Sequence, residues 1–482
     1  MAIDPSSIGF AGQFVLETAI IITADNQTVD ITAEISEISI YEDTLNPVLS
    51  GTLVFSDNFN IQNMMPLIGQ ELLKLKIKTP SLEDPDDVMD FTEQVFFLHN
   101  SEAQIQTSGT NQTLVLNFIS MEAMFNQRKT VSKTFKGTYS SIVESILRGE
   151  LQSTKRLFIE PSRGLKQVLA TDEHPFDLIE MAKAQALSVE MGAPSYLFYE
   201  TMWGFHFRSL ESLYAEKNKG TYTTDHTRGK TTLPHGQPNI VQEFSKIHSY
   251  NIDMSADTLG SSANGTYGSS LITHDIFNKT YSTSTYNYFD TFKNEHNIND
   301  LDREGRAQSH PLYSESPVDE DGNTVADFAS KSYLLPVSIK DTAKQNDAHF
   351  TTSKGTYPFS AYNPNTWLQR SKSKTSQLNA GLSVSMRVNG HTAIHAGDIV
   401  EINLPYNAMS KSGDNESVDK FYRGPFMIRS LHHTFSQISR SHQIYMTCVK
   451  DCLDKPLPVC EGTPVPKTQV KATVCVEDYD TV

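Results

Sequence analysis

The chain reads as mainly β with an α+β middle region: two small β-barrel domains flank an α+β domain, with irregular insertions. Three observations predict this. Apolar and polar residues alternate with period two from about residue 14 to 118, and again from about 384 to 448. Helical spacing of apolar residues is concentrated between those stretches, at Ile142, Val143, Ile146 and Leu147 and at Phe176, Ile179, Ala182 and Ala186. The length of 482 residues exceeds one ordinary core, so two to four domains are expected.

The first β region covers residues 1–120. Phe14-Val15-Leu16 opens a strand, and Ile31, Ala33 and Ile35 alternate with polar residues. Ile38 and Ile40 resume on the opposite phase, which predicts a β-bulge near Ser36-Glu37. In Ser50-Gly51-Thr52-Leu53-Val54-Phe55-Ser56-Asp57, Leu53 and Phe55 share one face and Thr52 and Val54 the other. Pro66-Leu67-Ile68-Gly69-Gln70-Glu71 then turns the chain into Leu73-Lys74-Leu75-Lys76-Ile77-Lys78, a strand with an apolar face and a lysine face. Phe96, Leu98, Leu114, Leu116 and Phe118 continue the pattern. Residues 81–87 form an acidic, solvated loop.

Residues 121–220 change character. Ser140-Ser141 is placed to cap a helix that Gly149 stops, and Pro175 suits the first turn of a second helix. Tyr196 to Thr201 and Phe205 to Arg208 predict a hairpin around Trp203-Gly204. The second β region, 221–455, carries a long polar insertion at about 256–375. Within it, Leu271 to Asp275 and Tyr281 to Phe289 are strand candidates, Gly260 to Gly265 a flexible turn, and Val318 to Thr324 a hairpin tip. Little periodicity is visible from about 296 to 365. A polar helix is expected from Trp367 to Leu378, then strands at Val384-Met386-Val388, 399–405, Phe426-Ile428-Leu431 and Ile444-Met446-Cys448. Residues 456–482 read as a tail without a core.

Composition narrows the function classes. Apolar residues make up 38% and charged residues 20%, the balance of a globular chain, and the net charge is −17. With no long basic run, a clamp on nucleic-acid phosphates is disfavoured. The beginning of the chain carries Asp4 and no basic segment, and the apolar run 19–23 is too short to span a bilayer. A cytosolic site of synthesis and no membrane insertion are expected. Cys448, Cys452, Cys460 and Cys475 are spaced C-x3-C-x7-C-x14-C, without the paired tight knuckles of a zinc ribbon. Free thiols are the first reading and a terminal disulfide the second.

Catalytic signatures are fragmentary. Arg228-Gly229-Lys230-Thr231 resembles the end of a phosphate-binding loop, but Thr224 stands where glycine is needed. His391 and His395 lie four apart in a strand-and-turn setting rather than on a helix. His432-His433 falls in a strand, where neighbours face opposite sides, one buried and one exposed. No pair of carboxylates is gathered for glycoside cleavage. No catalytic, cofactor-binding or metal residue is therefore assigned, and no enzyme activity is expected.

Four dispersed blocks carry a resemblance. They are residues 50–57 with Ile68-Gly69-Gln70-Glu71; Val131-Ser132-Lys133-Thr134-Phe135-Lys136-Gly137; His174-Pro175-Phe176-Asp177-Leu178-Ile179 leading to Phe198-Tyr199-Glu200-Thr201 and Gly204 to Leu210; and Val388-Asn389-Gly390-His391-Thr392 with Gly397-Asp398-Ile399-Val400 and Val449-Lys450-Asp451. In this order they resemble the central baseplate hub proteins of contractile-tailed bacteriophages. The resemblance implies that both barrels are tube-like, and that a homotrimer builds a pseudo-sixfold ring adapting the tail tube protein to the threefold central spike protein. It also implies other baseplate proteins as neighbours, genome DNA passing through an axial channel without stable binding, and a place in the virion tail after assembly in the host cytoplasm. A hub of a bacterial contractile injection system is the alternative, and a glycan-binding tail protein a more distant one.

Overall fold

The computed structural model describes residues 9–57, 67–80, 87–106, 112–224, 240–254, 257–275, 279–300, 309–337, 350–352, 355–357, 363–405 and 418–457. Among these residues it is mostly β, with 46% strand and 19% helix. The first region contributes β1 (Val15–Ile22), β2 (Thr28–Asp30), β3 (Ile35–Asp43), β4 (Ser50–Asp57), β5 (Leu72–Lys78), β6 (Met89–Asp90), β7 (Phe96–Gln106) and β8 (Gln112–Ser120). Alternation sorts their side chains: Leu53, Phe55, Leu73, Leu75, Ile77, Leu114, Leu116 and Phe118 are buried together. The register of β3 on β4 shifts between Ile35 and Glu37, at the expected bulge. Gly51 permits a close approach of β4 to its neighbours, since a Cβ there would lie 2.2 Å from the Phe118 ring and 2.4 Å from the Ser39 carbonyl oxygen.

The turn before β5 has its own lock. Gly69 takes a left-handed φ of 83°. The buried Glu71 carboxylate accepts hydrogen bonds from the backbone N–H groups of Ile68 (2.7 Å), Gly69 (2.9 Å) and Gln70 (3.0 Å). Three donors that would otherwise be unpaired converge on one anion, which explains why Ile-Gly-Gln-Glu stands here.

The middle region begins with α1 (Met121–Arg128), β9 (Thr134–Gly137) and α2 (Tyr139–Ser145), which continues as one π-helical turn, Ile146–Glu150. The cap of α2 is Thr138, whose hydroxyl accepts from Ser141 N–H at 3.2 Å; Ser140 instead bonds Ser162. Then follow β10 (Arg156–Ile159), β11 (Lys166–Leu169), α3 (Pro175–Gln185), β12 (Tyr196–Thr201), β13 (Gly204–Ser209) and α4 (Leu210–Tyr214). Phe176, Ile179, Ala182 and Ala186 all point from the α3 stretch into a core with Phe198, Phe205 and Phe207.

The rest of the chain adds β14 (Asn218–Thr223), α5 (Ile240–Phe244), β15 (Ile247–Met254), α6 (Thr258–Ala263), β16 (Gly268–Asp275), β17 (Thr280–Asn287), α7 (Tyr288–Phe292), β18 (His310–Pro311), β19 (Lys331–Val337), β20 (Phe350–Thr352), β21 (Gly355–Tyr357), α8 (Leu368–Ala380), β22 (Leu382–Asn389), β23 (Ile399–Pro405), β24 (Val418–Ser436), β25 (Ser441–Lys450) and β26 (Cys452–Leu453). The polar insertion holds a three-stranded sheet in the order β17-β16-β19, with Leu271 packed on Trp367 and Leu368. The stretch 260–265 is not a simple turn: it holds the end of α6, because the Asp257 carboxylate caps that helix through Gly260 N–H at 2.8 Å.

The two β regions share one fourteen-stranded sheet, whose main path runs β15-β22-β25-β24-β3-β4-β8-β7-β5-β1-β2. The 19-residue β24 makes the join: one part pairs with β23, and residues 430–436 pair with residues 37–43 of β3. Phe435 leaves the second region to bury itself in the core of the first. Among the described residues no ladder closes on itself, so the two regions appear as packed halves of one sheet.

Candidate functional site: a neutral sheet face over buried ion pairs

The join creates a continuous outer face. Register places Asn117, Thr52, Ser39, Thr434, Gln443 and Asn389 in one cross-strand row. The next row is Ile119, Ser50, Tyr41, His432, Tyr445, Arg387 and Ser249, and a third is Asp43, Ser430, Thr447, Ser385 and Asn251. Hydroxyl and amide side chains dominate, and the rows contain one carboxylate, Asp43, and one guanidinium, Arg387. Thr52 donates to Asn117 at 3.0 Å, and His432 Nε2 lies 3.0 Å from the Ser39 hydroxyl. Tyr41 stacks on His432 at 4.5 Å and His432 on Tyr445 at 5.6 Å. Burial holds His432 below its ordinary range, so this face carries a neutral imidazole at neutral pH.

Behind this face, buried ion pairs tie the regions together. Glu42 of β3 meets His395 Nδ1 at 3.2 Å and accepts from Ala396 N–H at 2.9 Å and Met202 N–H at 3.2 Å. Burial would raise the Glu42 pKa and lower that of His395, but each charge outweighs burial at the other: Glu42 lies below its ordinary value and His395 above. Trp203, at the tip of the β12–β13 hairpin, packs on the His395 ring at 4.3 Å. Gly397, at φ 92°, passes so near the Tyr199 hydroxyl that a Cβ would lie 2.3 Å from it.

A second junction centres on Lys155, buried between Glu122 at 2.6 Å and Glu200 at 2.5 Å, while Glu200 also accepts Leu49 N–H at 2.9 Å. Burial would strip the lysine of its proton, but Glu200 and Glu122 outweigh it and hold the pKa up. With two carboxylates sharing one ammonium, Glu200 is itself pushed up, by burial first and by Glu122 as well. A third junction places Lys374 of α8 at 3.3 Å from Glu295 and 3.5 Å from Asp451.

Glu211 of α4 lies beside this third group and is buried, with neither carboxylate oxygen hydrogen-bonded among the described residues. Burial pushes its pKa up to about 7, against the pull of Lys374. The native state therefore keeps a proton that the unfolded chain, near 4.5, gives up. Stability from this group is complete below pH 4.5 and is lost as pH rises through about 7. Glu211→Gln is expected to stabilise the protein by about 2 kcal/mol at pH 8 and by much less at pH 5, read from urea unfolding at both values. An equal shift at the two pH values would refute the assignment.

Of the histidine pairs weighed in the sequence, His395 pairs with Glu42 and the others pack against neighbouring rings or hydroxyls. His391 packs edge-on against Phe244, and burial lowers its pKa to about 4. His433 is buried with its Nδ1 3.0 Å from His442 Nε2, while its neighbour His432 faces the outer surface. Among the described residues, no three His, Cys, Asp or Glu side chains are grouped to hold a metal ion. Cys448 and Cys452 are buried free thiols. Cys460, Cys475, residues 228–231 and most of the acidic loop at 81–87 lie outside the described residues. Among the described residues, no helix is long and apolar enough to cross a membrane.

No family model matches the chain, and no curated protein matches it. Solved structures are similar in chain course. The tail protein from Neisseria meningitidis MC58 matches with a TM-score of 0.48 at 10% identity, over 91% of this chain and 97% of that one. The 43 kDa tail protein of prophage MuSo2 from Shewanella oneidensis matches at 0.47 and 9%, over 90% and 98%. The E. coli c3393 protein, a component of the type VI secretion system described as similar to T4 bacteriophage tail proteins gp27 and gp5, matches at 0.40 and 9%, over 91% and 76%. At this overlap they fix neither a partner nor an activity for this chain.

Proposed function

We propose that the chain is a non-enzymatic baseplate hub protein of a phage tail. Three copies form a ring that joins a sixfold tail tube to a threefold central spike and leaves an axial channel. The reading rests on one observation above all: two β-rich regions lie side by side in one sheet, joined through β24 and β3. Three copies of such a pair supply six β modules about one axis, as a threefold-to-sixfold adaptor requires. In this reading the modules are residues 1–120 and 221–455, with 121–220 and the insertion at about 256–375 set outside them.

The outer face of the shared sheet suits a channel wall. A duplex held by several lysines or arginines binds with strong salt dependence. A face whose three rows carry one acid and one arginine holds few phosphates. The acidic loop offered by the sequence as a channel lining contributes nothing visible to this face, since Asp90 pairs with Lys76 at 3.2 Å and residues 83–86 lie outside the described residues.

Light scattering over a range of concentrations is expected to give a species of three times 53.9 kDa for the chain alone, or, with the spike protein added, a heavier complex that contains three copies. That trimer is expected to bind duplex DNA at low salt no more tightly than roughly micromolar. A strict monomer in both conditions would overturn the ring, and tight, salt-sensitive DNA binding would overturn the passive channel.

A further inference from the structure

Two imidazoles lie on the inner side of the join, where the second β region meets the first. His433 of β24 stands opposite Ile40 of β3, and His442 of β25 stands opposite Phe435. Both rings are completely buried, with His433 Nδ1 3.0 Å from His442 Nε2. Their other nitrogens, His433 Nε2 and His442 Nδ1, have no hydrogen-bond partner among the described residues. A neutral pair meets this geometry, one ring donating the shared hydrogen and the other accepting it. One added proton puts a charge in an apolar enclosure, and a second sets N–H against N–H.

Both rings belong to the second region, and the first region closes over them. The Gly12 carbonyl accepts from His442 N–H at 2.7 Å. Phe435, stacked on His442 at 4.0 Å, meets Phe14 at 5.3 Å within the first core. Gly390 lies so near that a Cβ would sit 2.4 Å from the His442 ring. The titratable groups around the pair are Glu42 of β3, His391 and His395 of the 390–398 loop, and His432, which faces the outer surface. Glu42 is already engaged by His395, so it does not neutralise a further imidazolium. Burial accordingly holds His433 down at about 3 and His442 well below its ordinary value.

We propose that the join is an acid-opened clasp: protonation of His433 and His442 frees residues 430–442 from β3 and from the Gly12–Phe14 segment, while each half keeps its own strands paired. Closed, the two rings are neutral; opened to water, they titrate near 6.5. The clasp is therefore firm above pH 6.5 and weakens as pH falls below it, by up to one proton for each ring. This stands whether or not the ring of three copies forms.

Hydrogen exchange of the full chain at pH 7 and pH 5.5, read by mass spectrometry and corrected for the intrinsic pH dependence of amide exchange, tests it. Over this interval each freed imidazole raises the opening equilibrium about eightfold, so exchange in residues 430–444 is expected to speed roughly seventyfold. The cores of β5 and β8 are expected to change little. In the double variant His433→Leu, His442→Leu the pH effect on residues 430–444 is expected to vanish. His442→Gln alone leaves one titrating ring and is expected to show about eightfold, which keeps the test available if the double variant does not fold. A change below about threefold in the wild-type chain overturns the proposal, as does a variant as steep as wild type. Equal acceleration in β5 and β8 also overturns it, because acid then unfolds the whole chain rather than the join.

Discussion

Leu75→Asp is expected to lower the unfolding free energy by about 4 kcal/mol or more, whereas Lys76→Ala, one residue on, leaves it nearly unchanged. Leu75 is completely buried among the apolar faces of the first region. An aspartate there loses the burial of a leucine and places a carboxylate where nothing offers a hydrogen bond. Lys76 points the other way, to Glu17 at 3.5 Å and Asp90 at 3.2 Å, in an open setting where water screens the pairs. Leu75→Met, which keeps the volume, is expected to cost less than about 1.5 kcal/mol. Chemical unfolding of the three variants checks this, and equal losses for Leu75→Asp and Lys76→Ala would mean that the faces of β5 are misassigned.

That contrast marks what was legible in the sequence. Strand faces follow from period-two alternation, so the burial of Leu73, Leu75 and Ile77 and the bulge before Glu37 were readable from local spacing. So was α3, where Pro175 sits at the first helical position after His174. The join of β24 to β3 was not readable. His432 and Tyr41 are separated by almost the whole chain, and backbone pairing leaves no mark on either strand beyond its own alternation. The Glu71 turn was visible only as a motif, because a carboxylate gathering three backbone N–H groups looks in sequence like any solvated acid. Lys155 and Lys374 were missed for the same reason: charged residues are assumed exposed, and only the folded chain brings their carboxylates to them. Arg387 reads as one polar position of an alternating strand. Only the register that sets it beside Tyr445 puts it in one outer row with His432 and Tyr41.

Glu42→Gln is expected to cost about 3–5 kcal/mol, because it leaves the charge of His395 buried and uncompensated. Both side chains are fully enclosed, and the carboxylate accepts three hydrogen bonds from two other segments, the 395–396 turn and the β12–β13 hairpin. A glutamine presents one oxygen and one NH2 group, so at least one of those donors faces another donor. The pH dependence follows from the two shifts. Glu42 lies below its ordinary value of 4.5, so its contribution is present above pH 4.5 and is lost as pH falls through its native pKa. His395 lies above 6.5, so its contribution is complete below pH 6.5 and is lost as pH rises through its native pKa. The pair therefore stabilises most between about pH 4.5 and 6.5, and the loss in Glu42→Gln is largest there. Adding His395→Gln removes the stranded charge, so the double variant is expected to recover part of the loss, a coupling that a double-mutant cycle reads directly. Hydrogen exchange supplies the structural readout. Because Glu42 holds Met202 and Ala396 at once, Glu42→Gln is expected to speed exchange in the β12–β13 hairpin and in residues 390–398 together, while the core of β5 and β8 keeps its protection. Faster exchange confined to β3 would show that the pair does not join the three segments.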